Sequence, residues 1–210
     1  MRRRRQSRAG YTLIEVMIAV GIMTVGAVGI MALQQATTRG NVFARQTTTA
    51  TQITRTWLER IRRDALMWNQ RGLSGALTTD YLRNVPVAAT ADGAWFTPVP
   101  ADTTLNTDSY AFDGQGNELD PSTAPAGSMR YCVNVRLDWA IDQEAIRADV
   151  RTWWYRQTTS TNAADSDARI LADCAVGAED TVTTEIDRTP TSRLHAVYAS
   201  TLVRWLGPTR

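Results

Sequence analysis

The spacing of apolar and polar positions changes character twice along this chain. From Tyr11 to Leu33 every residue is apolar, glycine or threonine except Glu15. A helix over that run spans roughly 35 Å at ~1.5 Å per residue, enough to cross a bilayer core of about 30 Å. Beyond Leu33 the run gives way to a period. Phe43, Ala50, Ile53, Trp57, Ile61, Ala65 and Trp68 recur at intervals of three, four or seven, which draws one apolar stripe along a helix. The two patterns predict a single helix from about Thr12 to Trp68, whose first half (11–33) lies in a membrane and whose second half (34–68) packs on a sheet. Glu59 can meet Arg62 and Arg63 at i+3 and i+4, a pairing worth only tenths of a kcal/mol.

From 69 to 128 the chain is rich in Gly, Pro, Asp, Thr and Ala, and reads as the connection from helix to sheet. It holds short strand candidates at Trp95 to Val99 and Ser109 to Phe112. Asp113 to Asp120 offers oxygen ligands of the kind calcium takes, without the spacing of an EF-hand loop, and reads as a plain turn. In 129–210 the period becomes two. Tyr131, Val133, Val135, Leu137 and Trp139 alternate with Cys132, Asn134, Arg136 and Asp138, the mark of a half-buried strand. Ala148, Val150, Thr152 and Trp154 alternate with Asp149, Arg151, Trp153 and Tyr155. Leu194 to Leu206 forms a third strand, with His195, Val197, Ala199, Thr201, Val203 and Trp205 on one side. The expected fold is α+β: a long N-terminal helix on an antiparallel sheet of about three to four strands, the last three a meander against the stripe.

Charge changes the picture at the N-terminus. Met1 to Ala9 carries five arginines and no acid, and without residues 1–10 the formal charge of +2 would become −3. The basic balance belongs to this leader and says nothing of nucleic acid, whose phosphates need clustered Arg or Lys. The leader holds the N-terminus in the cytoplasm and places the chain beyond Leu33 outside. A cleaved secretory signal has a shorter apolar core and a small-x-small site behind it, and a plain uncleaved anchor leaves Glu15 unexplained. A carboxylate in a lipid-facing helix costs on the order of 2.5 to 3.5 kcal/mol at the centre and less near an end. A partner cation, the helix dipole or a snorkelling position at the interface can offset it.

Chemistry adds little. Cys132 and Cys174 are the only cysteines. In an exported domain they are expected to be bridged, closing a loop of some 40 residues worth roughly 3 to 4 kcal/mol, with two unpaired buried thiols the alternative. Cys132 lies on the face away from its strand's apolar set, so the bridge would pin the excursion from Gln157 to Thr191 onto the sheet. Two cysteines and the one histidine, His195, do not make a four-ligand zinc site. His195 sits in a strand, and there is no Gly-x-Ser-x-Gly elbow and no phosphate loop, so no enzyme, metal or cofactor is expected. Trp139, Trp153, Trp154 and Trp205 lie on strands, where packing in the core or against other subunits competes with binding of sugars or bases. Gly21, Gly26, Gly29 and Gly40 interrupt the helix, either as ordinary membrane-helix glycines or as points where it bends or locally melts.

Arg8-Ala9-Gly10-Tyr11-Thr12-Leu13-Ile14-Glu15-Val16-Met17-Ile18-Ala19-Val20 resembles the prepilin signal of type IV pilins and type II secretion pseudopilins. The resemblance implies a pilin fold, cleavage by prepilin peptidase between Gly10 and Tyr11, and methylation of the new amino terminus on Tyr11, where Phe is commoner. It implies that Glu15 neutralises the α-amine of a neighbouring subunit, and that the C-terminal region is stapled by a disulfide. Major pilins carry a proline in mid-anchor, and none occurs here between Tyr11 and Asn84. Gly29-Ile30-Met31-Ala32-Leu33-Gln34-Gln35, Arg45, Ala50 and Glu59-Arg60-Ile61-Arg62 are similar to PilV-type minor pilins. The implied role is a minor pilin near the tip of a type IV pilus, in a complex that primes assembly, with other minor and major pilins, the inner-membrane assembly platform and membrane lipid as partners. A minor pseudopilin of a type II secretion system, or a tip adhesin or DNA-uptake pilin, is the alternative.

Overall fold

A computed structural model of the chain describes residues 11–69, 79–101, 103, 106–125, 127–156, 170–188 and 192–206. The leader with Gly10, and residues 157–169 and 189–191 of the predicted excursion, lie outside the described residues. The chain divides into two units between Arg45 and Gln46, and helix α1 (Leu13–Trp68) runs through both. In the first unit nearly every described residue is exposed.

The second unit holds the sheet. Three two-residue strands, β1 (Trp95–Phe96), β2 (Ala111–Phe112) and β3 (Glu118–Leu119), precede three long ones, β4 (Tyr131–Ile141), β5 (Ala145–Tyr155) and β6 (Leu194–Arg204). Their order is β3-β2-β4-β5-β6, all antiparallel, and β1 pairs with the later half of β4, past β2. The expected meander is therefore present. Val135 faces Val150 between β4 and β5, and Val150 faces Ala199 between β5 and β6. The β4–β5 turn passes through Gln143 at φ +54°.

Period-two patterning puts Tyr131, Val133, Val135, Leu137, Ile146, Ala148, Val150, Trp154 and Val203 on one face, where they form a core with Ala50, Ile53, Trp57, Leu58, Ile61, Ala65 and Trp68 of α1. Thr54 and Thr152 meet inside it, Oγ1 to Oγ1 2.7 Å. The predicted stripe is one step too long: Phe43 is 48% exposed and contributes nothing to this core. A recurrence of seven residues does not by itself tell which sheet-facing positions have a sheet opposite them.

Over most of their length β4 and β5 are also not half-buried. On the second face Cys132, Asn134, Arg151 and Trp153 are fully buried. A smaller core covers them, made with Ala111, Met129, Ile170, Cys174, Val182 and Leu194, under a helical turn at 170–173 and helix α2 (Glu179–Asp187). Cys132 and Cys174 are bridged, Cα–Cα 5.8 Å, and fasten this layer to β4.

Candidate assembly site

Leu13 follows Thr12 into α1, and Thr12-Leu13-Ile14-Glu15 has the Thr-x-x-Glu spacing of a capping box. The amide of Glu15 donates to Thr12 Oγ1 (3.4 Å) and the Thr12 hydroxyl donates to Glu15 Oε2 (3.5 Å). The carboxylate thus sits in the first turn, where the helix dipole favours an anion. It makes no ion pair among the described residues. Hydropathy sets Glu15 against lipid alone; its spacing to Thr12 is the sequence signal for this local cap.

Beyond the cap the helix surface is apolar on all sides. Leu13, Ile14, Met17, Ile22, Met23, Val25, Val28, Met31 and Leu33 are all exposed, and the best 18-residue window reaches a mean hydropathy of 2.4. By length and composition α1 is the one described helix able to cross a membrane. Burial of a large aliphatic side chain gains about 1.5 to 3 kcal/mol, so this surface is stable only when lipid or other protein covers it. Gly21, Gly26, Gly29 and Gly40 would meet nothing of this chain within 4 Å if a Cβ were added. Their small size therefore serves no packing within the chain, and α1 runs through all four unbroken.

The second unit holds the sheet and α1 together through buried polar anchors to which periodicity gives no clue. Arg60 Nη2 pairs with Asp108 (3.2 Å) and with Glu118 of β3, and its guanidinium lies 4.7 Å from the Trp57 ring centroid. Asp64 accepts the amides of Asp80, Tyr81 and Leu82 at 2.8, 2.9 and 2.9 Å. Burial pushes its pKa up, and these three bonds pull against that rise. Arg151 donates to Asn134 Oδ1 (3.0 Å), Thr183 Oγ1 (2.8 Å) and the Glu179 carbonyl (3.1 Å), and burial pulls its pKa down to about 10. Glu179 Oε1 in turn accepts the Thr97 amide at 2.8 Å. Arg60 and Asp64 stand four apart beside the stripe and look like a helix surface pair; instead each reaches a separate loop.

The remaining candidates scatter. Asp113 closes the β2–β3 hairpin, accepting the amides of Gln115 (2.8 Å) and Asn117 (2.9 Å), with Gly116 at φ +89°. Slight burial raises its pKa, but these bonds and that of the Asn117 side chain outweigh it and hold the carboxyl below its ordinary value. Residues 113–117 form the hairpin turn, and Glu118–Leu119 of the same stretch is β3. Among the described residues no three His, Cys, Asp or Glu side chains converge. The tryptophans do not gather into one exposed surface: Trp154 and Trp139 pack on the core shared with α1, Trp139 also donating to the Pro86 carbonyl (2.7 Å), Trp153 enters the second core, and Trp205 lies exposed beyond β6. His195 is partly buried against Trp154, ring centroids 5.4 Å apart, and burial and then the charge of Arg156 lower its pKa.

Residues 5–31 match a family model described as the prokaryotic N-terminal methylation motif. No curated protein and no solved structure matches the chain. The matched stretch contains Gly10, Tyr11, Glu15 and the first three helix glycines, and it ends ahead of the apolar stripe. This motif supports the type IV pilin and pseudopilin class, whose members are structural subunits processed by prepilin peptidase and anchored through the apolar helix in the inner membrane.

Proposed function

We propose that the chain is a minor pilin of a type IV pilus, incorporated near the tip as part of a complex that primes assembly. Prepilin peptidase cuts between Gly10 and Tyr11 and methylates the new amino terminus. Residues 11–33 lie in the inner membrane and then in the filament core, with the N-terminus cytoplasmic and the sheet unit periplasmic before export. The observation that carries this reading is the methylation motif at 5–31, continued as a helix whose surface to Leu33 is apolar on every side and whose one carboxylate before Leu33, Glu15, stands in the first turn. In the filament, neighbouring helices replace lipid around Tyr11 to Leu33. Glu15 then exchanges its weak bond to Thr12 for the α-amine of a neighbour's Tyr11, a charged partner worth more than a neutral one.

Intact mass and N-terminal sequencing of the chain from membranes and from sheared surface filaments test the processing: a methylated Tyr11 start in the sheared fraction is expected, and a chain still beginning at Met1 would refute it. Glu15→Ala is expected to be cleaved normally yet absent from sheared filaments; wild-type incorporation would remove its assembly role. The motif serves pseudopilins equally, so a minor pseudopilin of a type II secretion system is the second reading. Deletion separates them, since loss of surface pili belongs to the first and loss of protein secretion to the second.

A further inference from the structure

The two edges of the sheet differ. At one, β3 is two residues long; at the other, β6 pairs with β5 over eleven consecutive positions and, among the described residues, with no other strand. Backbone groups of an antiparallel strand alternate between facing its neighbour and facing away. The outward groups at the ends of β6 are taken, Leu194 N and O by Ser192 Oγ and the Arg204 carbonyl by Asn69 Nδ2, so among the described residues the open edge runs from Ala196 to Leu202, roughly 20 Å. Proteins blunt such edges with prolines, bulges, interior charges or short strands. None of these is found here: residues 196–203 read Ala-Val-Tyr-Ala-Ser-Thr-Leu-Val, and the ladder to β5 has no register shift.

The edge is also braced. Tyr198 is held edge-on to Trp95 with ring centroids 6.1 Å apart, and Thr201 Oγ1 accepts a hydrogen bond from Arg62 Nε at 3.2 Å. Tyr198 and Leu202 nevertheless remain 53% and 61% exposed on the outer face, and Trp205 and Leu206 continue the apolar surface past the strand's end. Such an edge gives an incoming strand main-chain partners and alternate side-chain contacts without rearranging first.

Charge selects the occupant. Residues 192–206 contain Arg193, His195 and Arg204 and no acid. Most carboxylates nearby are engaged: Glu59 with Arg62 (2.5 Å), Asp149 with Arg147 (3.0 Å), Glu185 with the Arg193 amide (3.0 Å) and Asp173 with the Tyr155 hydroxyl, while Asp180 lines the same cleft as Arg193. A second copy laid antiparallel along the same edge would bring Arg204 of each chain toward Arg193 of the other, and like charges across a strand pair destabilise it. We infer that β6 takes up an extended acidic segment of a different polypeptide as a further antiparallel strand, with apolar residues on Tyr198 and Leu202 and carboxylates toward Arg193 and Arg204. This goes beyond the pilin reading and does not depend on which filament the chain enters.

The test uses the full chain in detergent with its disulfide intact, and a fluorescent nine-residue peptide alternating Val and Glu. The peptide is expected to bind about tenfold tighter than its Val-Lys counterpart, since several opposite-charge pairs replace like-charge ones. It should slow hydrogen exchange within 196–203, and alternate N-methylation should abolish binding. Leu202→Glu, at an exposed position, is expected to weaken binding about tenfold at unchanged melting temperature, whereas Leu66→Glu on the exposed side of α1 leaves it unaltered. No binding by the acidic peptide, equal binding by the N-methylated one, or disulfide-linked homodimers through Ser200→Cys would overturn the inference.

Discussion

The two halves of α1 are both rich in apolar residues and differ in how these are distributed. In the first, apolar side chains surround the axis and all are exposed; in the second, they keep to one side and Trp57 and Ile61 are completely buried. A helix with no polar face has to find its cover outside the chain, whereas a striped helix finds it in the chain's own sheet. The first half therefore needs lipid or other protein to cover it and the second is a folding element, although one backbone carries both.

The strongest way to break this comparison is to truncate equivalent side chains in each half. Trp57→Ala removes a fully buried ring and is expected to cost about 3 to 5 kcal/mol, read as loss of the cooperative urea transition of the sheet unit. Ile22→Ala, on the exposed first half, should leave that transition in place; a matching loss would show that the halves fold as one. Reduction of Cys132–Cys174, 42 residues apart in sequence, should lower stability by roughly 3 to 4 kcal/mol on the chain-entropy account. The reduced protein should lose near-ultraviolet signal from Trp153 first, because the second core lies over that residue.

Smaller changes sharpen the boundary. Asp64→Asn keeps one acceptor oxygen where two take three amides, and is expected to cost about 1 to 3 kcal/mol in thermal unfolding. His195 supplies the smallest effect. Its folded pKa lies below the ordinary 6.5, so the unfolded chain takes up the proton first. Stability is then complete above pH 6.5 and declines as pH falls toward the depressed folded value. His195→Gln should flatten that part of the profile in melting curves taken from about pH 7 to about pH 5.

Much of this was legible from local pattern. Apolar run, stripe and alternation each report one element, and together they yield the α+β architecture, because period and burial are linked residue by residue. Phe43 shows the limit of that logic. Its spacing satisfies the stripe, but whether a strand stands opposite is a fact about another part of the chain. The second core shows the same limit from the other side. Asn134, Arg151 and Asp149 look like a solvent face in sequence, yet they are buried, and Asn134 and Arg151 lie under α2 and the Cys174 turn, which return over them from distant sequence.

The candidate site divides in the same way. The Gly10–Tyr11 junction, Glu15 and the anchor run belong to a contiguous motif, and a contiguous motif can be read without a fold. By itself the sequence determined the long helix, the anchor and the three long strands, since each depends on neighbours within a few residues. Only the tertiary structure decided that Arg60 and Asp64 part to hold two different segments, that Trp153 enters a second core while Trp139 and Trp154 join the first, and that β6 is the last strand of the sheet among the described residues. Those outcomes depend on which distant segments come together, and side-chain periodicity carries no record of what lies across the gap.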